Sequence, residues 1–303
     1  MVNGAVRVGR RSISLSKPDK VLFPEGGYAK ADVVEYFRRI APFMVPEIRG
    51  RAMTLERFPD GIEGGRVFSK GIPKYFPAWI DRAKLKKEGG SVTHVVCNDA
   101  ATLVYLANQA TITQHVGLSR VDRIDNPDQI IFDLDPSSSD FAPVRAAAKV
   151  VKALLHDVGL SAFVKTSGSK GLHVVAPLDR SATFDVVRAF ARDFASLLAA
   201  RHPGELTVEF RKDKRRGRLL VDWMRNAYGQ TAVAPYSLRA RPGAPVAMPI
   251  GWDEVEDDAL TARRYTIENA LEHAARHPWK GWRRHARALT KPRRHLDSLI
   301  AER

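Results

Sequence analysis

The chain of 303 residues has a single cysteine, Cys97, and no apolar run that approaches the length of a membrane span. One cysteine excludes intrachain disulfides and a cysteine-based zinc site, and it favours a reducing, cytoplasmic setting. Residues 1–11 lack the apolar core of a signal peptide, so we expect neither a leader nor a membrane partner. Hydrophobic residues make up 44% of the chain, which is enough for a substantial core.

Acidic residues are outnumbered by basic ones. Lys and Arg total 49 and Asp and Glu total 34, which gives a net charge of +15. The excess is clustered, with nine Lys/Arg against two acids over residues 276–303 and six against one over residues 211–218. Clustered positive charge indicates polyanionic partners, with nucleic acid first and anionic membranes second, more than a merely basic surface.

The order of predicted elements is typical of an α/β (α+β) chain. Apolar runs predict strands at residues 130–134, 162–165, 173–176 and 219–223. Amphipathic patterns predict helices at residues 31–43, 143–158, 184–200 and 259–275. From residue 130 onward the order is strand, helix, strand, turn, strand, helix, strand. That order resembles a split βαβ sheet more than a doubly wound one.

Two aspartates end the strongest predicted strand, in the run QIIFDLDP that starts at Gln129. Side chains alternate along a strand, so Asp133 and Asp135 would lie side by side on one face. Carboxylates this close repel each other and favour a cation between them, and Mg²⁺ and Mn²⁺ prefer such oxygen ligands. Taken alone, the pattern is more often a plain acidic turn.

A third aspartate, Asp222, lies within the apolar run LLVDW. An acid in such a strand is costly unless it is paired or bound to metal, and a neighbouring arginine could satisfy it. If its strand lies beside that of Asp133 and Asp135, three carboxylates could hold two divalent ions about 4 Å apart. That arrangement supports phosphoryl transfer.

Phosphate-binding features follow in the segment TSGSKGLH, residues 166–173. A Ser/Gly turn with exposed amides makes an anion nest, and Lys170 adds a charge. The spacing differs from that of a P-loop, and an ordinary hairpin with a solvated lysine is the alternative. Arg215 and Arg239 are candidates for bidentate phosphate contacts, although each alone is more typical of a protein surface.

Taken in order, the segments IFDLDP, TSGSKGLH, VDW and APYSLR resemble the polymerase domain of bacterial DNA ligase D, in the archaeo-eukaryotic primase superfamily. The resemblance extends from Ser14 to about Asp258. It implies a primase-polymerase fold in three segments. These are an N-terminal α/β module (residues 1–115), a catalytic RRM-like module with the split βαβ sheet (residues 116–258), and a C-terminal helix with a basic tail (residues 259–303).

The resemblance also implies roles for matching residues. The catalytic, metal-binding carboxylates would be Asp133, Asp135 and Asp222, with two divalent ions, Mn²⁺ or Mg²⁺. The implied nucleotide contacts are Ser167, Lys170, His173, Arg215, Asn226 and Arg239. The implied contacts to the 5′-phosphate of a gap are Lys20 and Lys30. Arg57 and Phe68 would contact the template, with burial of Phe68 in the core as the alternative.

Together these features predict a template-directed nucleotidyltransferase that uses two metals and prefers ribonucleotides. It would fill gaps or breaks in DNA repair such as non-homologous end joining. Its partners would be DNA with gaps, ends or primer-template junctions, an NTP or dNTP, a DNA-end-binding protein and a DNA ligase. It would act in the cytoplasm, at the nucleoid. The alternatives are a primase-polymerase that starts chains de novo and a non-catalytic DNA-end-binding module; the three aspartates argue against the second.

Overall fold

The computed structural model describes residues 4–302, which form sixteen strands and seven α-helices. The strands are β1 (Ala5–Val8), β2 (Arg11–Ser14), β3 (Val21–Phe23), β4 (Tyr28–Ala29), β5 (Ala52–Arg57), β6 (Val67–Ser69), β7 (Arg82–Lys87), β8 (Gly90–Val96), β9 (Thr111–Gly117), β10 (Gln129–Asp135), β11 (Phe163–Thr166), β12 (Leu172–Pro177), β13 (Leu206–Thr207), β14 (Leu219–Asp222), β15 (Thr231–Val233) and β16 (Pro249–Ile250). The helices are α1 (Lys30–Ile48), α2 (Ala100–Asn108), α3 (Ala142–Asp157), α4 (Phe184–Arg201), α5 (Trp252–Glu256), α6 (Ala270–Ala274) and α7 (Thr290–Ala301). Over this range no helix has both the length and the apolar character needed to cross a bilayer.

The chain divides into two compact units, and each is discontinuous in sequence. The first combines the described part of Met1–Gly117 with Thr231–Met248 and Tyr265–Arg276. The second combines Leu118–Gln230, Pro249–Arg264 and the described part of His277–Arg303. The predicted segments 1–115, 116–258 and 259–303 are contiguous, whereas these units are not. The division into three domains stays a prediction.

The first unit contains a sheet of order β15-β9-β5-β8-β7, with β6 paired to β5. Helix α1 buries the side chains whose helical spacing predicts it, namely Val33, Val34, Phe37 and Ile40. It extends five residues beyond the predicted end at residue 43, through Pro46, to Ile48.

The second unit contains a six-stranded sheet of order β13-β14-β10-β12-β11-β16. Strand β10 is antiparallel to both of its neighbours, β12 and β14, and β11 is antiparallel to β12. Apart from the two-residue strand β13, which lies between α4 and β14, the chain order β10, α3, β11, β12, α4, β14 is that of a split βαβ sheet. The predicted mixed α/β fold is confirmed, and the order of elements in this unit matches the prediction.

Helix α4 covers one face of the six-stranded sheet. Phe132 of β10 stacks on Phe194 of α4, with ring centroids 4.5 Å apart, and both side chains are buried. Burial of each aromatic ring contributes about 2–3 kcal/mol. Since successive side chains alternate, Asp133 and Asp135 lie on the face opposite to α4.

The predicted helix over residues 259–275 is wrong for most of its length, because only Ala270–Ala274 is helical. The amide of Thr266 donates to Asn269 Oδ1 at 2.8 Å, and such side-chain acceptors compete with helical hydrogen bonds. The Tyr265 carbonyl accepts the amide of Val246 at 2.8 Å, which ties this stretch into the first unit.

The basic C-terminal segment packs on the second unit through aromatic side chains. Trp279 and Trp282 are both buried and both pack edge-on against Phe163. The indole of Trp279 donates to the Val164 carbonyl at 2.9 Å. Helix α7 follows within the stretch predicted as a tail. The segment is therefore part of the folded unit that carries the aspartates.

Candidate active site

Strand register brings the three predicted carboxylates to one face of the second unit's sheet. Asp133 of β10 lies directly opposite Asp222 of β14, and on its other side it lies opposite His173 of β12. Directly opposed residues share a face, and Asp135 joins them because it lies two residues beyond Asp133. Asp222 therefore lies beside Asp133 and Asp135, as the predicted metal site requires.

Burial dominates the electrostatics of these carboxylates. It raises the pKa of Asp133 to about 6, with Asp222 and Asp135 adding to the rise and Arg225 opposing it. Burial also raises the pKa of Asp222, again against the effect of Arg225. Carboxylates whose ionised form is destabilised by burial and by neighbouring carboxylates are typical of a functional site that binds a cation.

Arg225 supplies a positive charge next to Asp133 and Asp222. Its Nε lies 3.5 Å from Asp133 Oδ2 and 3.3 Å from Asp222 Oδ2. His173 Nε2 lies 3.4 Å from the other oxygen of Asp133. The guanidinium of Arg225 thus contacts both members of the cross-strand pair.

A divalent metal is implied by this set, and the donor types fit it. Carboxylate oxygens suit Mg²⁺ and Mn²⁺, and the contacts of Arg225 show that the pair of Asp133 and Asp222 accepts a cation. Within residues 4–302, no three or more His, Cys, Asp or Glu side chains form a ready-made metal cluster. Asp133, Asp135 and Asp222 would hold the metal, and this assignment stays a prediction.

The predicted phosphate nest is a tight turn whose amides converge on a hydroxyl. Ser167 Oγ accepts the amides of Ser169, Lys170 and Gly171 at 3.2, 3.2 and 3.0 Å. A Cβ atom on Gly171 would lie 1.8 Å from the Leu134 carbonyl oxygen, so only glycine lets the turn approach β10 this closely. The turn is therefore held against the strand of the aspartates, with the Lys170 side chain exposed.

Arg215 is buried and uses its guanidinium within the protein. Its Nη1 donates to Asp135 Oδ2 at 2.8 Å, and its Nε and Nη2 donate to the carbonyls of Glu209 and Phe210 at 3.1 and 3.0 Å. Only 4% of the residue is exposed. In this arrangement Arg215 positions Asp135, and its predicted nucleotide contact stays a prediction.

Asn226 is fully buried and joins two parts of the second unit. Its Oδ1 accepts the amide of Ile131 at 2.9 Å, and its Nδ2 donates to the carbonyls of Ile131 and Trp223 at 2.7 and 2.9 Å. These bonds hold the turn after Asp222 against β10. They give Asn226 a structural role, and its predicted nucleotide contact is untested.

The remaining predicted residues belong to the first unit. Arg239 lies there near Glu56: burial raises the pKa of Glu56, but His115, and to a lesser extent Arg239 and Arg66, lower it overall. Lys20 Nζ pairs with Asp60 at 2.5 Å. The buried Lys30 Nζ donates to the Ser16 carbonyl at 2.6 Å.

Lys20 and Lys30 are also linked to each other, because the amide of Lys30 donates to the Lys20 carbonyl at 2.8 Å. Burial lowers the pKa of Lys30, and the charges of Lys20, Lys17 and Arg57 lower it further. Three positive side chains thus lie close enough to act on the ammonium group of Lys30. A concentration of like charge suits a phosphate ligand.

The two predicted template contacts differ in their environment. Arg57 Nε donates to the Gln109 carbonyl at 2.9 Å. Phe68 is 50% exposed, with its ring edge-on to His115 and beneath the Arg66 guanidinium. Burial of Phe68 in the core, the alternative to a template contact, is excluded.

The model for the family described as "LigD, primase-polymerase domain" matches residues 29–280. The chain belongs to this family. LigD primase-polymerase domains are nucleotidyltransferases, so the chain is an enzyme of that class, as predicted. The family's dependence on metal agrees with three aspartates on one face of the sheet, without saying which metal or how many ions.

Several LigD proteins are similar to the chain. The multifunctional non-homologous end joining protein LigD of Mycolicibacterium smegmatis is 36% identical over 256 residues, which cover 84% of this chain and 34% of that protein. The bifunctional LigD of Bacillus subtilis is 32% identical, over 84% of this chain and 41% of that protein. The chain therefore spans 34% to 41% of the length of these two curated relatives.

A solved structure shares the fold. The polymerase domain from Mycobacterium tuberculosis ligase D in complex with DNA matches with a TM-score of 0.85 and 32% sequence identity, over 90% of this chain and 99% of that one. The predicted family and the predicted primase-polymerase fold are thereby confirmed.

Sequence reasoning missed two residues of this LigD-type site. Arg225 received no role, although its position three residues after Asp222 was a signal that it could reach back to that carboxylate. Lys165 of β11 lies opposite His173 and extends the row of ionisable side chains to a fourth strand. It is buried, and its charge lowers the pKa of Asp133. A lysine inside a predicted apolar strand was the available signal.

Proposed function

We propose that the chain is a DNA-dependent polymerase that prefers ribonucleotides and fills short gaps at DNA breaks during non-homologous end joining. The opposition of Asp133 and Asp222, with Asp135 on the same face, carries the proposal. Two further observations support it. The relatives' names specify end joining, and the matching solved domain is in complex with DNA.

In the proposed reaction, the primer 3′-oxygen bonds to the α-phosphorus of the nucleotide. The bond from that phosphorus to the oxygen of the β-phosphate breaks, pyrophosphate leaves, and the hydroxyl proton passes to water. Divalent metal bound by the three aspartates would activate the hydroxyl and neutralise phosphate charge. Lys170 and His173 bind the triphosphate, while Arg225 offsets the charge of Asp133 and Asp222.

The proposed partners follow from this reaction. They are gapped or broken DNA and primer-template junctions, an NTP or dNTP, a DNA-end-binding protein and a DNA ligase. A cytoplasmic location at the nucleoid follows from the DNA substrate.

Primer extension on DNA with a short gap tests the function. The assay compares NTPs with dNTPs, Mn²⁺ with Mg²⁺, and a 5′-phosphate with a 5′-hydroxyl at the downstream edge. We expect template-dependent addition, greatest with NTPs. Binding to gapped DNA without addition under any of these conditions would instead identify a DNA-end-binding module.

The 5′-phosphate contact makes a separate prediction for the first unit. A Lys20→Gln variant, alone and combined with Lys30→Gln, should reduce the affinity gained from a 5′-phosphate about tenfold, through loss of charge-assisted hydrogen bonds. The measurement is fluorescence anisotropy on gapped DNA with and without that phosphate. Lys87→Gln, at an exposed lysine of the same unit, is the control. Equal weakening on both DNAs would show a general charge effect.

A further inference from the structure

A cleft of about 600 Å³ opens in the second unit directly after Asp135. Its lining residues come from the loop before α3, the Ser167–Gly171 turn, the segment before β14 and the segment after α5. They are Pro136, Ser137, Ser138, Ser139, Phe141, Ser169, Lys170, Lys212, Thr261, Ala262 and Arg263. The cleft therefore begins one residue beyond a predicted metal ligand and is bordered by the predicted phosphate turn.

The lining is positive and rich in hydroxyl groups. Three cations, Lys170, Lys212 and Arg263, line the cleft, and no Asp or Glu does. All three side chains are exposed. Within residues 4–302, Lys170 and Lys212 make no side-chain hydrogen bond or ion pair, so their ammonium groups are available to a ligand. Hydroxyls and cations together suit an oxyanion with several charged oxygens.

Arg263 also connects the cleft to the predicted phosphate turn. Its Nε donates to the Ser169 carbonyl at 3.0 Å. Its two Nη atoms make no hydrogen bond within the described range. Arg263 can therefore orient the turn that carries Lys170 while still presenting two donors to an anion.

Two other phosphate ligands expected in the second unit, Arg215 and Ser167, already bond to protein atoms. Arg215 uses all three of its guanidinium nitrogens on Asp135 and two carbonyls. Ser167 Oγ already accepts three turn amides. Among the predicted contacts here, Lys170 keeps an uncommitted charge, and Lys212 and Arg263 lie with it on the cleft.

We propose that this cleft binds polyphosphate, and that Lys212 and Arg263 are binding residues in addition to Lys170. The role of the anion rests on the proposed function: it is the tail of the incoming triphosphate or the pyrophosphate that leaves. An anion with four or more charged phosphate oxygens would contact the three cations of the cleft, next to Asp135.

Calorimetric titration with sodium tripolyphosphate in metal-free buffer tests the cleft without DNA or catalysis. The Lys212→Gln/Arg263→Gln variant should weaken binding about tenfold, since two charge-assisted contacts are lost. The Lys212→Gln variant alone alters no backbone contact and guards against a folding artefact. The matched control is Arg284→Gln/Lys291→Gln, which removes two exposed charges from the C-terminal segment. Equal weakening in the control, or no weakening in the cleft variant, overturns the proposal.

Kinetics then distinguish the two sources of the anion. If the cleft holds the triphosphate tail, the cleft variant should raise the KM for nucleotide. If it holds released pyrophosphate, the inhibition constant for pyrophosphate should rise while KM is unchanged. A change in neither overturns the proposal. Failure of the unaltered chain to extend primers would refute the proposed function but leave the titration result on the cleft intact.

Discussion

The Asp133→Asn and Asp222→Asn variants should each lose nucleotide addition by about a thousandfold or more, because metal-assisted activation is worth several kcal/mol. Asparagine preserves the shape of the side chain and removes the charge that holds the cation. The DNA affinity of both variants should stay near that of the unaltered chain, since the reaction and DNA binding use different groups. Single-turnover primer extension and anisotropy on the same gapped DNA measure the two effects.

Stability provides a second readout for the same variants. The pKa of Asp133 is about 6 in the folded state, which is above its value in the unfolded state. Ionisation of Asp133 therefore lowers the free energy of unfolding as the pH rises from the unfolded pKa to about 6, and the loss is complete above that pH. At pH 7 and without metal, the Asp133→Asn variant should therefore unfold at a temperature no lower than the unaltered chain, despite losing its contact with Arg225. A loss of activity together with a loss of stability would point to a role in folding.

Asp122→Asn is the matched control for these carboxylates. Asp122 lies in the same unit, is largely exposed and pairs with Arg180 at 2.8 Å. An exposed ion pair is worth about 1 kcal/mol or less, and activity should not change. Normal extension by either the Asp133→Asn or the Asp222→Asn variant would refute the metal assignment.

Much of the carboxylate site was predictable because strand alternation is a local property. The two-residue spacing of Asp133 and Asp135 places both on one face, whatever the rest of the fold does. The position of Asp222 was only conditional, because register depends on distant chain segments. A shift of one residue would turn Asp222 to the opposite face, and the sequence carries no measure of that shift.

Arg215 and Asn226 show why residue type alone did not decide their roles. A guanidinium fork matches a phosphate, a carboxylate or a pair of carbonyls equally well. Burial decides among them, and burial of Arg215 depends on how the segment before β14 folds around it. The helix predicted over residues 259–275 was wrong because its pattern also depends on tertiary context: Tyr265 and Thr266 bond to the chain around Val246 in the first unit.

The Arg215→Ala variant should lose about 2–4 kcal/mol in the free energy of unfolding, because buried charge-assisted hydrogen bonds are lost while Asp135, the carboxylate left behind, is partly exposed to water. The variant removes three hydrogen bonds and leaves the carbonyls of Glu209 and Phe210 without their donors. Nucleotide addition should fall with stability, because Asp135 loses the group that positions it. Urea denaturation and primer extension measure both losses.

Two further variants separate this positioning role from a direct grip on the triphosphate. Arg215→Lys keeps a charge near Asp135 but cannot reproduce the planar fork that serves three acceptors, so it should recover only part of the stability. Arg211→Ala, at an exposed arginine paired with Asp213, should change stability by about 1 kcal/mol or less. If Arg215 instead gripped the triphosphate, Arg215→Ala would raise the KM for nucleotide while the free energy of unfolding stayed unchanged. Because the guanidinium is buried and satisfied by protein atoms, we expect the loss of stability.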